Sequence, residues 1–371
     1  MIDTALKSVV DAFDFPGTLV RTAEILTGHI NRTYRLTFDE GGAARDYLLQ
    51  RINTFAFKKP EEVMENVTLV TDHLRRATLA RGIDPDNRVL RVIPTREGRP
   101  LLYDSEDGAW RAYNFITHAH SVNSVESPAQ FEIVGRAFGD FQAMLSDFPI
   151  DKLHDTIPHF HDTIQRMDNF EASVAKDAAG RVKDAAAEID FVRARRAPMG
   201  EIVRLIDRGA LPLRVTHNDT KCNNVMVDDE TGEALCVVDL DTVMAGSALY
   251  DYGDAIRFGA STAAEDERDL TKVRLDMALF RAFTEGFISR TARGLTRAEL
   301  ENLVLGALVM TFEVGLRFLT DYLDGDVYFR TEYPAHNLVR ARSQFRLLSD
   351  MEARRPEMEA AAREMIARYT V

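Results

Sequence analysis

Three oxygen-bearing side chains near the middle of the chain have the types and spacing that phosphoryl transfer requires. Asp219 lies in the segment H-N-D-T-K-C-N-N (217–224), Asn224 follows five residues later, and Asp239 lies in V-V-D-L-D (237–241). Phosphoryl transfer needs a carboxylate that orients the attacking hydroxyl and accepts its proton, and hard oxygen ligands that hold Mg²⁺ against the triphosphate. The three side chains therefore indicate a magnesium-dependent kinase site.

The segment between these side chains predicts a β-hairpin. Val225–Val227 and Ala234–Val238 are short apolar strands, and the polar residues 228–233 that join them include a turn-favouring glycine. Asp219 lies on a polar loop just after the apolar stretch Leu211–Val215. A loop and a hairpin that hold these side chains rigidly suit a reaction that depends mostly on positioning and charge neutralisation.

The first third of the chain is rich in predicted strands. They are short, apolar or alternating, rich in β-forming residues and separated by turn residues. The five strands are Thr18–Leu26, Thr33–Phe38, Tyr47–Ile52, Val89–Ile93 and Trp110–Ile116. A helix is predicted after Pro60, because apolar residues recur there at spacings of three and four.

The rest of the chain is mainly helical apart from the hairpin. The clearest helical segments are Phe131–Leu145, Arg181–Arg195 and Leu270–Ile288, and the apolar run Leu303–Phe312 predicts a buried helix because it is too short to cross a bilayer. We therefore predict an α+β, bilobal fold. A small antiparallel-sheet lobe (1–116) would bind the nucleotide, and a larger helical lobe (117–371) would carry the catalytic loop and the acceptor site.

The central motifs resemble the catalytic loop of the aminoglycoside phosphotransferase and choline kinase superfamily, relatives of the protein kinases. The resemblance implies a protein-kinase-like fold with ATP in a cleft, Asp219 as the base, and Asn224 and Asp239 as Mg²⁺ ligands. Lys221 matches a lysine that approaches the γ-phosphate. Asp251, in M-A-G-S-A-L-Y-D, matches a carboxylate that braces the catalytic loop.

Longer stretches narrow the resemblance to the N-acetylhexosamine 1-kinases, which phosphorylate the anomeric hydroxyl of free N-acetylglucosamine and N-acetylgalactosamine. The most specific stretches are G-D-A-I-R-F-G-A-S-T-A-A-E-D-E (253–267) and R-F-L-T-D-Y-L-D-G-D-V-Y-F (317–329). The resemblance implies ATP and a free amino sugar as substrates. It also implies that Arg317 and Tyr328 contact the sugar alongside Asp219 and Asp239.

One part of the kinase pattern is absent from the predicted sheet lobe. Many kinases pair a lysine on strand three with a glutamate on the next helix, but the corresponding residues here are Gln50 and Asn66. We therefore expect triphosphate binding to depend on Mg²⁺, Lys221 and the backbone of residues 28–31. The predicted nucleotide-binding residues are Gly28, Ile30, Asn31, Gln50 and, near a hinge that binds adenine, Asn114 and Ile116.

Several residues have more than one possible role. His217 could act as a base, but a structural role with a local hydrogen bond is favoured, because kinase-type loops place the base at the aspartate. Asp241 could be a second metal ligand or a helix cap. Arg317 could instead form an ion pair with Glu313, one helical turn before it. Tyr328 alone could equally be a packing residue, and Gly28 a simple hairpin turn.

Two further chemistries are disfavoured. His159 and His161 lack additional ligands at zinc-type spacing, so they are expected to be surface or core histidines. Cys222 lies inside the catalytic loop, but no histidine–cysteine arrangement accompanies it. Neither Cys222 nor Cys236 belongs to a metal or redox motif, which is compatible with a reducing cytoplasm.

Composition restricts the class of partner. The formal net charge of −13 argues against a general nucleic-acid binder, which needs a basic face. No targeting or membrane-spanning segment is predicted, so the protein is expected to be cytoplasmic. A monomer is expected as a separate matter. Two alternatives stay open: a kinase for choline, homoserine or an aminoglycoside, and a nucleotide-binding pseudokinase.

Overall fold

The computed structural model describes residues 4–26 and 31–370. The chain forms two compact units. The first comprises residues up to 121 together with 147–157 and 224–245, and the second comprises 122–146, 158–223 and 246–371.

The first unit is built on an antiparallel sheet in the order β1-β2-β3-β6-β4, with β5 also paired to β6. Its strands are β1 (Thr18–Ile25), β2 (Arg32–Asp39), β3 (Ala44–Arg51), β4 (Val92–Ile93), β5 (Leu102–Tyr103) and β6 (Ala109–Asn114). Alternate side chains of β2 are buried, which is the pattern of a strand with one face on a core. Helix α1 (Thr4–Ala12) contributes Val9 and Val10 to that core.

Helix α2 (Pro60–Ala80) begins with a proline and two acidic residues, both of which suit a helix N-terminus. The side chains predicted to form its apolar face, Val63, Val67, Val70 and Leu74, are buried. A second small sheet in this unit has the order β10-β9-β7 and contains the predicted hairpin. Its strands are β7 (Ala119–Ser121), β9 (Val225–Asp228) and β10 (Ala234–Val237).

The second unit is mainly helical. Its helices are α3 (Pro128–Met144), α4 (Thr163–Lys176), α5 (Ala186–Met199), α6 (Glu201–Asp207), α7 (Ala248–Gly259), α8 (Met277–Thr291), α9 (Arg297–Glu301), α10 (Leu303–Asp324) and α11 (His336–Tyr369). The short strand β8 (Arg214–Thr216) precedes the catalytic loop, and β11 is Met244–Gly246.

Helices α7 and α10 approach each other closely in the second unit. A Cβ atom on Gly253 would overlap the carbonyl oxygen of Gly306, and a Cβ on Gly306 would overlap that of Leu249. Only glycine permits such an approach of two helix backbones, so these glycines fix the position of α7 against α10.

Helix α10 is long and apolar enough to span a membrane by length and composition alone. Its most apolar window has a mean hydropathy of 1.7, but 83% of that window is buried within the protein. Core helices of water-soluble proteins have the same composition, and the prediction of a buried helix at Leu303–Phe312 is confirmed.

The predicted fold class is confirmed, and four element predictions need correction. The helix predicted from Arg181 is an α-helix only from Ala186, after a 3-10 turn at Val182–Ala185. The main sheet has six strands, because Leu102–Tyr103 adds a two-residue strand too short to be recognised by its pattern. The strand predicted at Val89–Ile93 is limited to Val92–Ile93. The helix predicted from Leu270 begins at Met277, because Asp276 caps it by accepting from the amides of Ala278 and Leu279.

Candidate active site

The carboxylate of Asp219 is partly exposed in the loop that follows β8. Its side chain is 23% exposed, and the Lys221 Nζ lies 3.1 Å from its Oδ1. The backbone amide of Asp219 donates to Nδ1 of His217 at 3.3 Å. A carboxylate that is reachable from solvent and adjacent to a cation has the properties needed to orient a hydroxyl next to a phosphate.

Asp251 on α7 holds the loop immediately before Asp219. Its Oδ1 accepts from the amide of Asn218 at 2.8 Å, and its Oδ2 accepts from the amide of His217 at 2.9 Å and from Nε2 of Gln142 at 2.7 Å. Burial raises the pKa of Asp251. Asn218 has a φ of 64°, a left-handed conformation that costs energy for a residue other than glycine. These hydrogen bonds confirm that Asp251 braces the catalytic loop.

A second brace, which sequence reasoning missed, holds the loop immediately after Asp219. Asp254, also on α7, accepts from the Thr220 amide at 3.0 Å through Oδ2 and from Nε of Arg257 at 2.9 Å through Oδ1. Arg257 also donates to Glu265 at 2.7 Å. Burial opposes ionisation of Asp254, but Arg257 lowers its pKa below the ordinary value. The only signal in the sequence was that these residues lie in the unusual stretch 253–267.

His217 and Cys222 have structural surroundings. His217 is fully buried, with its ring centroid 5.6 Å from that of Phe138 and 5.8 Å from that of Phe141. The local hydrogen bond predicted for His217 is the one it accepts from Asp219. Burial raises the pKa of the Cys222 thiol to about 11, so it is protonated at neutral pH and poorly suited to be a nucleophile.

Asn224 and Asp239 lie at the same end of the hairpin in the first unit. Val225 is paired with Val237, and the Val238 amide donates to the Asn224 carbonyl at 2.9 Å. Asp239 has a φ of 61°, again left-handed for a residue with a side chain. The register therefore brings the amide and the carboxylate to one strand end, as the order of the motifs suggested.

The chemistry of this donor pair fits Mg²⁺. Asn and Asp offer hard oxygen atoms, and Mg²⁺ is commonly held by one or two protein groups together with substrate phosphates and water. Among the described residues no cluster of three or more His, Cys, Asp or Glu side chains forms a metal cage. A site that completes its coordination with phosphate oxygens does not need such a cage.

The predicted nucleotide-binding residues are only partly described. Gly28 and Ile30 lie outside the described residues. Asn31 uses Oδ1 to accept from the Asn53 amide at 2.9 Å, and Gln50 donates through Nε2 to Thr33 at 3.1 Å. Their roles toward a nucleotide remain predictions.

The predicted hinge follows the end of β6. The Asn114 side chain accepts from the Arg91 amide at 2.6 Å and donates to the Asp86 carbonyl at 2.7 Å, and Ile116 is buried. Because the Asn114 side chain is engaged in this way, any recognition of adenine here would use the backbone.

Asp241 caps no helix. Its two carboxylate oxygens accept from Nη1 of Arg111 and, at 2.8 Å, from Nδ2 of Asn31. Sequence analysis left its role open between metal ligation and capping. In the structure Asp241 connects Arg111 on β6 to Asn31, which lies directly before β2.

Arg317 lies on α10 between two aromatic rings. Its guanidinium carbon is 5.2 Å from the ring centroid of Phe160 and 5.5 Å from that of Phe329. Within residues 4–26 and 31–370, Arg317 has no hydrogen-bond acceptor and no ion pair. The half-buried guanidinium therefore has donors available for a ligand.

Glu313 does not pair with Arg317. Its Oε1 contacts Nδ1 of His161 at 2.7 Å, and its Oε2 accepts from the Thr163 hydroxyl at 2.5 Å. Burial alone would raise the pKa of Glu313, but His161 and Arg166 lower it to about 2. The alternative of a structural Arg317–Glu313 ion pair is therefore not realised.

Of the two histidines expected to be surface or core residues, His159 lies at the surface and His161 lies in the core. His159 is exposed and lies 3.1 Å from Asp162, whereas His161 is buried against Glu313. The ring of His161 also packs 4.8 Å from that of Tyr250 on α7, the helix that carries Asp251 and Asp254. Helix α7 thus links the surroundings of Arg317 to the catalytic loop within the second unit.

Tyr328 lies in the loop after α10 and is 57% exposed. Asp321 positions this loop by accepting from the amides of Val327, Tyr328 and Phe329 at 2.8–2.9 Å. The Tyr328 ring packs 4.8 Å from that of Phe329. Tyr328 and Arg317 therefore share one aromatic neighbour.

We define the cation–aromatic cluster by its members, which are Phe160, Arg166, Arg317, Tyr328 and Phe329. Arg166 packs on Phe160 with its guanidinium carbon 5.8 Å from the ring centroid. Burial and the neighbouring charge of Arg317 lower the pKa of Arg166 to about 10. Arg166 also pairs with Glu313 at 3.5 Å and donates to the Phe160 carbonyl, so it is Arg317 whose guanidinium would repel a cationic ligand and attract oxygen acceptors.

Known structures share this arrangement of elements. A microcompartment-associated aminopropanol kinase superposes with a TM-score of 0.60 at 16% sequence identity, over 96% of this chain and 98% of that chain. An aminoglycoside phosphotransferase from Alicyclobacillus acidocaldarius gives 0.56 at 13% identity, over 99% and 97%. An ethanolamine kinase from Plasmodium vivax gives 0.53 at 13% identity, over 87% and 82%. At such low identity the likeness shows a common fold, and each name describes the other protein.

The sequence itself matches the model of a protein family. The match covers residues 22–283, which include the main sheet from the middle of β1 onward, the catalytic loop, the hairpin and helix α7. With well over half of the chain matched, the protein belongs to the phosphotransferase enzyme family.

Proposed function

We propose that the protein transfers the γ-phosphoryl group of ATP to the anomeric hydroxyl of free N-acetylhexosamines, N-acetylglucosamine and N-acetylgalactosamine. Asp219 is the base, Lys221 neutralises charge on the γ-phosphoryl group, and Asn224 and Asp239 would hold Mg²⁺. Arg317 and Tyr328 contact the sugar, beside Asp219 and Asp239. Residues 1–116 form the nucleotide-binding lobe, residues 117–371 carry the acceptor site, and the enzyme works as a cytoplasmic monomer.

The observation that carries the choice of acceptor is the unpaired guanidinium of Arg317. Among the described residues it has no carboxylate partner, it is flanked by two aromatic rings, and a second cation, Arg166, lies nearby. Hydroxyl and acetamido oxygens of a sugar can accept from its donors, and aromatic rings pack well against sugar rings. An ammonium group would be repelled at the same place.

The chemistry assigned to the chain is a single displacement. Asp219 accepts the proton as the anomeric O–H bond breaks and the new O–P bond forms, and the bond between the β- and γ-phosphoryl groups breaks to release ADP. When bound, Mg²⁺ would neutralise negative charge on the phosphate oxygens. The braces at Asp251 and Asp254 hold the peptides on both sides of Asp219, so the carboxylate is positioned before the substrate arrives.

The first experiment measures ADP release with ATP and Mg²⁺ over a panel of acceptors. The panel contains both N-acetylhexosamines, glucose, choline, homoserine and kanamycin, with methyl glycosides of the amino sugars as blocked controls. Turnover with the free sugars and none with the methyl glycosides is expected. Turnover only with an amine-bearing acceptor would replace the proposed substrate, and silence across the panel with ATP still bound would favour a pseudokinase.

A further inference from the structure

A chain of polar side chains crosses the main sheet of the first unit. Thr33 on β2 accepts from Gln50 on β3 at 3.1 Å, and Gln50 accepts through Oε1 from Nε of Arg111 on β6 at 3.0 Å. Nη1 of Arg111 donates to Oδ1 of Asp241, whose Oδ2 accepts from Asn31 at 2.8 Å. The chain therefore connects three strands to the segment that follows Asp239.

The register of the sheet places Arg111 beside the position where a related kinase carries its strand-three lysine. Gln50 occupies that position here, and Gln50 and Arg111 are directly paired across β3 and β6. Directly paired residues of antiparallel strands project from the same face of the sheet. Strand β3 carries no lysine at this position, but Arg111 on the neighbouring strand β6 provides a cation on the same face of the sheet.

The Arg111 side chain is almost completely buried. It is 2% exposed, and Asp241, its partner in the ion pair, is 5% exposed. A buried charge needs a well-matched partner, because desolvation strongly disfavours an isolated ion. Burial alone would lower the pKa of Arg111, whereas the nearby carboxylates of Asp241 and Asp239 raise it. The ion pair with Asp241 therefore keeps the buried guanidinium charged.

Helix α2 is joined to the same segment without any charge. Asn66, which stands where a kinase has the glutamate partner of the lysine, donates to the carbonyls of Val243 at 3.0 Å and of His154 at 2.9 Å. Its Oδ1 accepts from the His154 amide at 2.8 Å. Helix α2 is therefore linked to the 239–243 segment through Asn66, whereas the ion pair of this segment is formed by Arg111 and Asp241.

We propose that the Arg111–Asp241 pair replaces the lysine–glutamate pair of related kinases and makes Arg111 a positioning residue for the triphosphate. Arg111 fixes the 239–243 segment to the sheet and so holds Asp239 in position for the Mg²⁺-bound phosphate groups. This proposal rests on the proposed use of ATP and is independent of the identity of the acceptor. It assigns Asp241 to the ion pair and removes it from the metal ligands.

The test distinguishes an effect on binding of the triphosphate from an effect on binding of the nucleoside. Calorimetry would measure the dissociation constants of adenosine and of the Mg²⁺ complex of AMP-PNP for the wild type, R111K and the double variant R111M/D241N. The double variant removes both charges, so no unpaired ion is left buried, and thermal melting confirms that it folds. The matched control is R35M/D46N, which removes another cross-strand ion pair from the same sheet.

We expect the double variant to bind Mg²⁺–AMP-PNP roughly 10- to 100-fold more weakly, as for the loss of a charged interaction, with adenosine binding unchanged. R111K, which keeps the charge, should retain most of the affinity, and the control should match the wild type. Equal weakening for adenosine and Mg²⁺–AMP-PNP, undiminished Mg²⁺–AMP-PNP binding by the double variant, or a loss in R111K as large as in the double variant would overturn the proposal. A wild type that binds neither ligand would overturn the proposed use of ATP as well.

Discussion

At the scale of single residues, the geometry around Asp219 separates its chemical role from its structural support. Its carboxylate contacts Lys221 and remains partly exposed, while its backbone is held through neighbouring amides by Asp251 and Asp254. Replacement of the side chain should therefore leave the loop intact, which makes the proposed role of Asp219 as a base testable by substitution.

The substitution Asp219→Asn should lower kcat by at least about 10²-fold, the lower end of what a general base contributes. Nucleotide affinity should stay nearly constant, because the amide preserves size and the braces hold the backbone. Steady-state kinetics and calorimetric titration with ADP measure the two effects. Near-normal turnover would remove Asp219 from the role of base.

The substitution Arg317→Met should raise the KM for N-acetylhexosamine by roughly 10- to 100-fold, because hydrogen bonds from a charged donor contribute about 1.5–3 kcal/mol. The KM for ATP should change little. Arg340→Met is a matched control, since Arg340 also packs on a ring attached to α10, at 5.4 Å from the Phe318 centroid. Equal changes in the two variants would argue against sugar contact by Arg317.

The candidate site shows which interactions a sequence can and cannot predict. Asn224 and Asp239 were predictable as neighbours because a hairpin joins them, and local turn chemistry determines that pairing. The Asp254 brace was not, because its partner Thr220 lies 34 residues away and meets it only after α7 has packed. Arg111 lay in a predicted strand, but its contact with Gln50 depends on the pairing of β3 with β6, which are separated by helix α2 and two short strands.

At the scale of elements, the contact between α7 and α10 determines how firmly the catalytic loop is held. Helix α7 carries both bracing carboxylates, and its Gly253 faces the backbone of Gly306 without room for a methyl group. Apolar spacing predicted α2, α3, α8 and the core of α10, whereas α1, α4, α7, α11 and the two-residue β5 were not predicted individually. A two-residue strand has too few residues to show a period.

The substitution Gly253→Ala should destabilise the protein by about 1–3 kcal/mol, the usual cost of overpacking. It should also lower kcat, because a displaced α7 moves the braces on both sides of Asp219. Urea unfolding and kinetics test the two effects. Gly294→Ala is the control, since the nearest atom to its Cβ would be 3.7 Å away. An unchanged free energy of unfolding in Gly253→Ala would show that α7 and α10 can move apart without loss of stability.

At the scale of the whole molecule, ionised buried carboxylates should make the protein sensitive to acid. The chain carries a formal charge of −13, and Glu313 in particular is fully buried with a pKa lowered to about 2 from an ordinary 4.5. A carboxyl with a lower pKa in the folded state contributes stability above its unfolded pKa. That contribution is lost as the pH falls from 4.5 toward 2.

Urea unfolding at about pH 6, about pH 4.5 and about pH 3 should therefore show a steeper loss of stability for the wild type than for Glu313→Gln. The glutamine variant cannot take up the proton that favours unfolding, so its free energy of unfolding should vary less between the two lower values. Glu352→Gln, at the half-buried pair with Arg195, should behave like the wild type. Parallel curves for the wild type and Glu313→Gln would contradict the assignment.

The neutral amide of Asn66 has a consequence for how such an enzyme can be controlled. Signalling kinases are switched by swinging a helix so that a salt bridge forms or breaks, whereas helix α2 is tied to Val243 and His154 by three uncharged hydrogen bonds. The link that Asn66 makes carries no charge, although Glu65 on the same helix also pairs with His154. Progress curves should therefore be linear from the moment of mixing, and a lag that depends on a modifying enzyme would contradict this. We therefore expect the proposed kinase to be active without a modifying enzyme, with its output set by the supply of its substrates.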